Sequence, residues 1–241
     1  MANLNFPSAS SQKVTGVWGG LQGLLDEGAL YLANNTTLGT AIATTTSVVD
    51  AGNSGATSAQ TRPLAILVNN APAADANARS IYPVYFNLFI PIGGQIPTSA
   101  TSWQFGMWLD PIGVASYTSG GSTIVPTQLN PGAAGGRGSQ AKLYFGAITA
   151  AASSSGAVLV GRRVLSNIIP TVGDEWMLTF GDPTMPTSML LSAAVRKVTV
   201  PCAPVCVPPG YALKFGIWGP SNAAAPSFEF ELCYAERSAG L

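Results

Sequence analysis

The chain has 241 residues and no formal net charge, and only 9% of its residues are charged, eleven basic side chains balancing eleven acidic ones. The chain therefore lacks the net positive charge that is typical of nucleic-acid-binding proteins. Its hydrophobic fraction of 47% excludes a disordered chain. Histidine is absent, which excludes Ser-His-Asp and Cys-His catalytic arrangements and the commonest transition-metal ligand. We therefore expect no enzymatic activity, no cofactor and no nucleic-acid partner.

A surface this poor in charge must be built from small neutral residues, and such a surface resists association only weakly. We expect it to be covered in use, by copies of the chain or by another protein. The N-terminus lacks the basic and apolar regions of a secretory signal, and no apolar run approaches the roughly eighteen residues of a membrane span. The sequence thus predicts a protein made in a cytoplasm, with no membrane partner.

Residues 1–26 are predicted to form an arm ahead of a single folded domain, residues 27–241. The apolar residues of the arm partly follow helical spacing, but four glycines between Gly16 and Gly23 oppose a free helix, since each costs about 1 kcal/mol relative to alanine. A helical stripe and an extended arm are both compatible with the pattern, and the predicted fold takes the arm as extended. We expect it to become ordered on a partner, with Trp18 as the main anchor. The candidate anchoring residues are Phe6, Val17, Trp18, Leu21 and Leu25.

After the arm, short apolar or alternating runs separated by turn residues recur to the end of the chain. They cover residues 27–33, 64–68, 81–90, 103–109, 113–117, 123–125, 142–149, 157–165, 175–181, 193–200, 211–218 and 228–234. Residues 81–90 are apolar on both faces and should form a central strand, and runs 113–117 and 123–125 could pair across a glycine turn. About ten strands without helices predict an all-β sandwich of the jelly-roll type.

The last two runs are predicted to pair as a hairpin. Each alternates an apolar face with a more polar one, and a loop rich in proline and alanine separates them. In this arrangement Lys214 would lie opposite Glu229 or Glu231 on the polar face. Phe215 and Phe230 would lie in the core between two sheets.

Three sequence features could belong to a binding or catalytic site, but for each of them we favour a purely structural role. The glycine-rich stretch 132–138 lacks the lysine and strand–helix context of a phosphate loop, so it is read as a mobile surface loop. Asp174 and Glu175 are adjacent, so in a strand they point to opposite faces, unlike a glycosidase pair. Arg162 and Arg163 also point to opposite faces, and one of them is expected to form an ion pair within or between subunits.

The cysteines and the last loop are the remaining candidate functional groups. Cys202 and Cys206 could form a redox or metal loop, but an odd total of three cysteines favours small buried side chains beside a proline turn. In the last loop Trp218, Ser221 and Asn222 could bind a sugar ring by stacking, or could belong to a protein interface.

An arm followed by a histidine-free, nearly uncharged β-domain rich in Ala, Gly, Ser and Thr resembles tailed-bacteriophage virion proteins. The likeness is greatest to jelly-roll capsid decoration (cement) proteins. The resemblance implies a homotrimer on the outer surface of the capsid, an arm that grips the major capsid protein, and a location in the virion. It carries over no functional residue. The alternative is a phage tail or fibre domain that binds a host surface glycan, for which Trp218 would supply the aromatic platform.

Overall fold

We describe a computed structural model of the chain. It describes residues 17–35, 37, 39–44, 60–72, 74–75, 77–91, 96, 103–133, 137–151, 156–166, 169–181, 190–191, 196–219 and 227–238. These ranges contain one α-helix, one short 3₁₀ helix and fourteen strands. Three of the strands have only two residues, which leaves eleven of five residues or more. The prediction of an all-β fold with about ten strands is confirmed.

The helices and strands are spread over the whole described part of the chain. In chain order they are α1 (Val17–Asp26), β1 (Leu30–Asn34), β2 (Ile42–Ala43), β3 (Ala65–Asn69), β4 (Arg79–Phe89), β5 (Trp103–Asp110), the 3₁₀ helix (Gly113–Ser116), β6 (Tyr117–Ile124), β7 (Thr127–Gln128), β8 (Ala141–Ala150), β9 (Val158–Ser166), β10 (Glu175–Phe180), β11 (Leu190–Leu191), β12 (Arg196–Cys202), β13 (Ala212–Trp218) and β14 (Ser227–Ser238).

The strands form two sheets. The first sheet has eight strands in the order β11-β12-β10-β4-β14-β1-β7, with β2 also paired to β14. The second has six strands in the order β6-β8-β3-β13-β5-β9. All pairs are antiparallel except β10 with β12. The fold is a β-sandwich, while its assignment to the jelly-roll type stays a prediction. Strand β4 lies between β10 and β14, which confirms its central position.

Aromatic side chains from both sheets meet in the core. The ring of Phe230 on β14 stacks on that of Phe145 on β8, with centroids 3.9 Å apart. Phe86 on β4 packs against Phe215 on β13 with centroids 5.0 Å apart. Phe215 and Phe230 are both buried, so the prediction that they lie between the sheets is confirmed. Burial of this apolar area is the main favourable contribution to folding.

The predicted hairpin of residues 211–218 and 228–234 is wrong. Strand β13 pairs with β3 and β5 in the second sheet, whereas β14 pairs with β1, β2 and β4 in the first. The two strands therefore lie in different sheets rather than side by side in one sheet. The proposed pairing of Lys214 with Glu229 or Glu231 fails for the same reason.

A second predicted hairpin is also wrong. Residues 113–116 form the 3₁₀ helix, and residues 117–124 form the single strand β6, which runs without interruption through the expected turn. Gly120 and Gly121 have φ angles of +79° and +67°, which glycine adopts readily. They occur where the register of β6 against β8 shifts, so they form an irregularity inside a strand and not a hairpin turn.

The C-terminal part of the predicted arm is helical rather than extended. Helix α1 packs on the face of the first sheet opposite the core, where Leu24 meets Leu30 on β1 and Cys233 and Ala235 on β14. Glycine weakens an isolated helix, but most helix stability in proteins comes from packing of an apolar face. Residues 1–16, including Phe6, lie outside the described residues.

Candidate interaction surface

Strand β9 lies at the end of the second sheet. Among the described strands only β5 pairs with it, so its other edge has backbone groups without a described strand partner. Such an edge offers a row of N–H and C=O groups to another chain, and proteins usually protect it. This edge is the first feature of the candidate surface.

The side chains of β9 add apolar area to this edge. Val158, Leu159 and Val164 are 56%, 51% and 50% exposed, whereas Leu165 at the end of the strand is buried in the core. Half-exposed aliphatic side chains on one strand gain free energy when another surface covers them, roughly 25 cal/mol per Å² of apolar area removed from water. We call the exposed part of β9, residues 158–164, the β9 edge surface.

Two arginines supply the charge of the β9 edge surface, on opposite faces as predicted. Arg162 lies opposite Gly106 and its guanidinium sits 5.6 Å from the ring centroid of Trp218, while its Nε donates to Gln104 Oε1 at 2.9 Å. Arg163 lies opposite Phe105 and reaches the other sheet, where its Nε donates to the carbonyl oxygen of Pro201 at 2.8 Å. Its described partner is a backbone carbonyl and not a carboxylate, so the described residues do not form the expected inter-strand ion pair, and the inter-subunit alternative stays a prediction.

A groove opens beside Arg163 between the ends of the two sheets. It has a volume of about 380 Å³ and is lined by Arg163, Gly181, Pro201, Cys202, Ala203 and Pro204. The lining is mostly apolar, with one guanidinium at its side. The groove extends the β9 edge surface around the end of the sandwich, so a chain added to β9 would have a second place to bury a side chain.

Cys202 and Cys206 do not share a disulfide in the structure. All three are free thiols, and Cys202 and Cys233 are buried while Cys206 is exposed. Within the described ranges no three acidic or cysteine side chains gather closely enough to hold a metal ion. The prediction of small buried side chains is confirmed for Cys202 and is wrong for Cys206, which lies on the surface.

We expect one fast-reacting thiol in the folded chain. Burial raises the pKa of Cys202 to about 11 and that of Cys233 to about 12, so at pH 8 both thiols keep their protons and little reactive thiolate is present. Titration with an aromatic disulfide reagent should count one thiol before denaturation and three after it, and Cys206→Ser should remove the fast phase. Rapid reaction of two thiols in the folded protein would contradict this burial.

Trp218 does not offer the open ring face that glycan stacking requires. It is 5% exposed, at the end of β13, and its ring packs against that of Trp108 with centroids 6.0 Å apart. Both rings lie over Gly106, where a Cβ atom would come within 2.6 Å of Trp108. Ser221 and Asn222 lie outside the described residues. The described part of this loop therefore contributes packing and not a sugar platform.

The candidate anchoring residues of the arm fall into two groups. Leu21 and Leu25 lie on α1 and pack against the chain's own first sheet. Val17 and Trp18 lie in the first turn of α1, while Phe6 precedes the described residues. Leu21 and Leu25 therefore hold α1 in place, which leaves Phe6, Val17 and Trp18 as candidates for contact with a partner.

The C-terminal end of the glycine-rich loop is tied to the first sheet. The Glu236 carboxylate, which is fully buried, accepts hydrogen bonds from Ser139 Oγ at 2.5 Å and from the Gln140 backbone N–H at 2.9 Å. It also pairs with Arg79 at 3.0 Å, and Arg79 Nη2 donates to the carbonyl oxygen of Gly138 at 2.7 Å. Gly138 and the residues that follow the loop are therefore anchored, while residues 134–136 lie outside the described residues and the mobility of the loop stays a prediction.

The adjacent carboxylates Asp174 and Glu175 have separate structural partners. Asp174 is buried and accepts hydrogen bonds from the backbone N–H and hydroxyl of Thr171, at 2.8 and 3.0 Å. Glu175 pairs with Lys197 at 2.8 Å and accepts a hydrogen bond from Asn87. The two carboxylates thus stabilise a turn and a strand pair, as the structural interpretation predicted.

Comparison of the chain with protein-family models, curated proteins and solved structures found no match in any of the three. The longest helix among the described residues has ten residues, about half the length needed to cross a bilayer. The class of protein that the structure defines is therefore a β-sandwich with an exposed apolar edge strand.

The sequence predicts a strand at residues 157–165 but does not indicate the β9 edge surface. The only local signal was the absence of strict alternation in Val158-Leu159-Val160, which is compatible with a strand buried on both faces. Whether such a strand lies in the middle or at the end of a sheet depends on the order of the other strands. That order is not encoded in the run itself.

Proposed function

We propose that the chain is a structural protein of a tailed-bacteriophage virion, which decorates the capsid by binding the major capsid protein and itself. The single observation that carries the proposal is the β9 edge surface: an apolar strand edge that no described strand pairs with, on a protein with very few charges. Exposed apolar strand edges of this kind tend to associate with other chains, so we expect a partner to bind at this edge.

The composition of the chain favours binding over a large area. Ionised groups are the expensive ones to remove from water, and this chain has few of them. Stable protein interfaces bury roughly 1,200–2,000 Å², so a neutral sandwich can cover such an area at low desolvation cost. A protein that stabilises a shell needs contact area more than it needs a reactive site.

The position of α1 supports a role for the N-terminal segment. Leu24 and its neighbours fix α1 to the outside of the first sheet, and residues 1–16 precede this helix in the chain. The segment carries Phe6 and precedes Val17 and Trp18, the remaining candidate anchors. In the proposal this segment grips the capsid while the sandwich covers the shell, and the assembly is a homotrimer, as the resemblance implies.

Copy number in purified particles tests the proposal. Quantitative mass spectrometry of virions should find the chain in a stoichiometry that follows the number of shell subunits, and in heads separated from tails. Absence from the particle, or a few copies confined to tails, would overturn it. Light scattering of the purified chain should give a single discrete mass larger than the monomer, since homo-oligomers are usually closed and symmetric.

A truncation tests the N-terminal segment without disturbing the sandwich. Deleting residues 1–16 keeps α1, whose packing on Leu30, Cys233 and Ala235 would be lost if residues 1–25 were removed. We expect the shortened chain to keep its circular dichroism spectrum and melting temperature while no longer sedimenting with capsids that lack the protein. Wild-type occupancy of the shortened chain would show that the sandwich alone makes the attachment.

A further inference from the structure

The β9 edge surface has properties that restrict what can cover it. Strand β9 has nine residues, and of the described strands only β5 pairs with it. An extended segment that adds to such an edge gains main-chain hydrogen bonds along its length, and the neighbouring side chains set its specificity. The side chains of β9 therefore indicate which sequence would fit.

The side chains of β9 would be complemented by aliphatic residues and by carboxylates on the added strand. Val158, Leu159 and Val164 are about half exposed and would be covered by aliphatic side chains of an added strand. The only charged residues of β9 are Arg162 and Arg163, both exposed and on opposite faces of the sheet. An added strand would place two consecutive residues opposite these arginines, one on each face, and acidic residues there would complement both charges.

The described edge strands of a second copy do not supply this complement. Pairing β9 with β9 would bring four arginines into one interface, and like charges opposite each other are destabilising. The other described strands with only one neighbour in their sheet are β6, β7 and β11, and the short β2 pairs only with β14. None of these four strands contains an acidic residue.

We propose that β9 accepts, by strand addition, an extended segment of a different protein in which two consecutive acidic residues are flanked by aliphatic ones. The inference rests on the proposed function only in that another protein covers this chain. Neighbouring groups hold both guanidinium groups in place, Arg162 by Gln104 and Trp218, and Arg163 by the carbonyl oxygens of Pro201 and Arg162. Arg163 also flanks the groove at the end of the sandwich, which can take a side chain of the added segment.

Peptide binding tests the inference on the full chain. The probe is a fluorescent peptide, Thr-Val-Glu-Glu-Thr-Thr-Val-Val-Thr, compared by anisotropy with the same peptide carrying Lys-Lys in place of Glu-Glu. We expect the acidic peptide to bind about tenfold more tightly at low ionic strength, with the preference shrinking as salt is added, because two exposed charge pairs change from attraction to repulsion. Equal affinity for the two peptides, or binding of neither, would overturn the inference.

Variants locate the binding on β9. Arg162→Glu should lose the preference for the acidic peptide or reverse it, whereas Lys142→Glu, which changes an exposed lysine on β8, should leave it unchanged. Val164→Lys adds a charge at a half-exposed position and should weaken both peptides, so the inference stays testable if Arg162→Glu does not fold. Unchanged binding in the folded variants would place the peptide elsewhere on the chain and contradict strand addition at β9.

The outcomes separate this inference from the proposed function. If Arg162→Glu still sediments with capsids and fails to discriminate between the peptides, the decoration role stands and charge recognition at β9 is not its basis. If the chain is absent from particles but the acidic peptide binds at β9, the edge has a different partner. Self-association of the free chain that weakens in Val164→Lys would show that a second copy covers β9, and the inference would fall.

Discussion

Replacing Phe230 by alanine is expected to lower the free energy of unfolding by about 3–5 kcal/mol. The ring is 4% exposed and stacks on Phe145 of the opposite sheet at 3.9 Å, so its removal loses transfer free energy and leaves a cavity between the sheets. Phe215→Ala should cost a similar amount, because that ring is fully buried against Phe86. Chemical denaturation of the purified variants measures both effects.

A control on the same strand separates core packing from a general weakness of β14. Glu229 precedes Phe230, points to the other face of the first sheet and is only half buried. Glu229→Ala should change the free energy of unfolding by about 0.5 kcal/mol or less. Equal destabilisation by Glu229→Ala and Phe230→Ala would show that the aromatic contact across the sandwich is not what holds the two sheets together.

The core face of each strand could be predicted because it depends on a local pattern. Alternation of side chains in residues 228–234 places Phe228, Phe230 and Leu232 on one face whatever strand lies beside them. The structure buries these three residues in the main core. The same local rule identified Leu213, Phe215 and Ile217 on β13, and these side chains are also in the core.

The partner of each strand could not be predicted in the same way. The loop after Trp218 has the prolines and small residues of a hairpin, but a crossing from one sheet to the other needs the same residues. The predicted roles of Lys214 and Trp218 depended on whether this loop closes a hairpin or crosses between the sheets. Once β13 lies between β3 and β5, both side chains fall on the far face of the second sheet, where Lys214 is fully buried and Trp218 nearly so.

Helix α1 shows how tertiary packing overrides local propensity. Gly19, Gly20 and Gly23 lie within it, and each lowers the stability of an isolated helix. The apolar outer side of β1, β4 and β14 provides the surface that compensates for this cost, through contacts with Leu24 in particular. Neither the length of the helix nor its docking site could be read from residues 1–26 alone.

Lys214 is buried because β13 lies between β3 and β5, and the sequence did not indicate this burial. Its Nζ lies 3.0 Å from Asp110 Oδ2, both side chains are fully buried, and Nζ also donates to the carbonyl oxygen of Ala151 at 3.0 Å. Asp110 Oδ1 accepts a hydrogen bond from the backbone N–H of Ile112 at 3.2 Å. Strands β13 and β5 are neighbours, and the 3₁₀ helix contacts β13 on this side of the sheet.

Because both charges are away from water, removing one of them should be far more damaging than removing both. We expect Lys214→Met to lower the free energy of unfolding by about 3–5 kcal/mol, since it leaves the Asp110 carboxylate without its cation in the interior. The double variant Lys214→Met, Asp110→Asn removes both charges and retains an acceptor for the Ile112 N–H, so it should recover much of that loss. Denaturation of the two single variants and the double variant gives the coupling free energy between the residues. Additive losses would show that the two side chains do not stabilise each other, and that the buried contact between β5 and β13 rests on apolar packing alone.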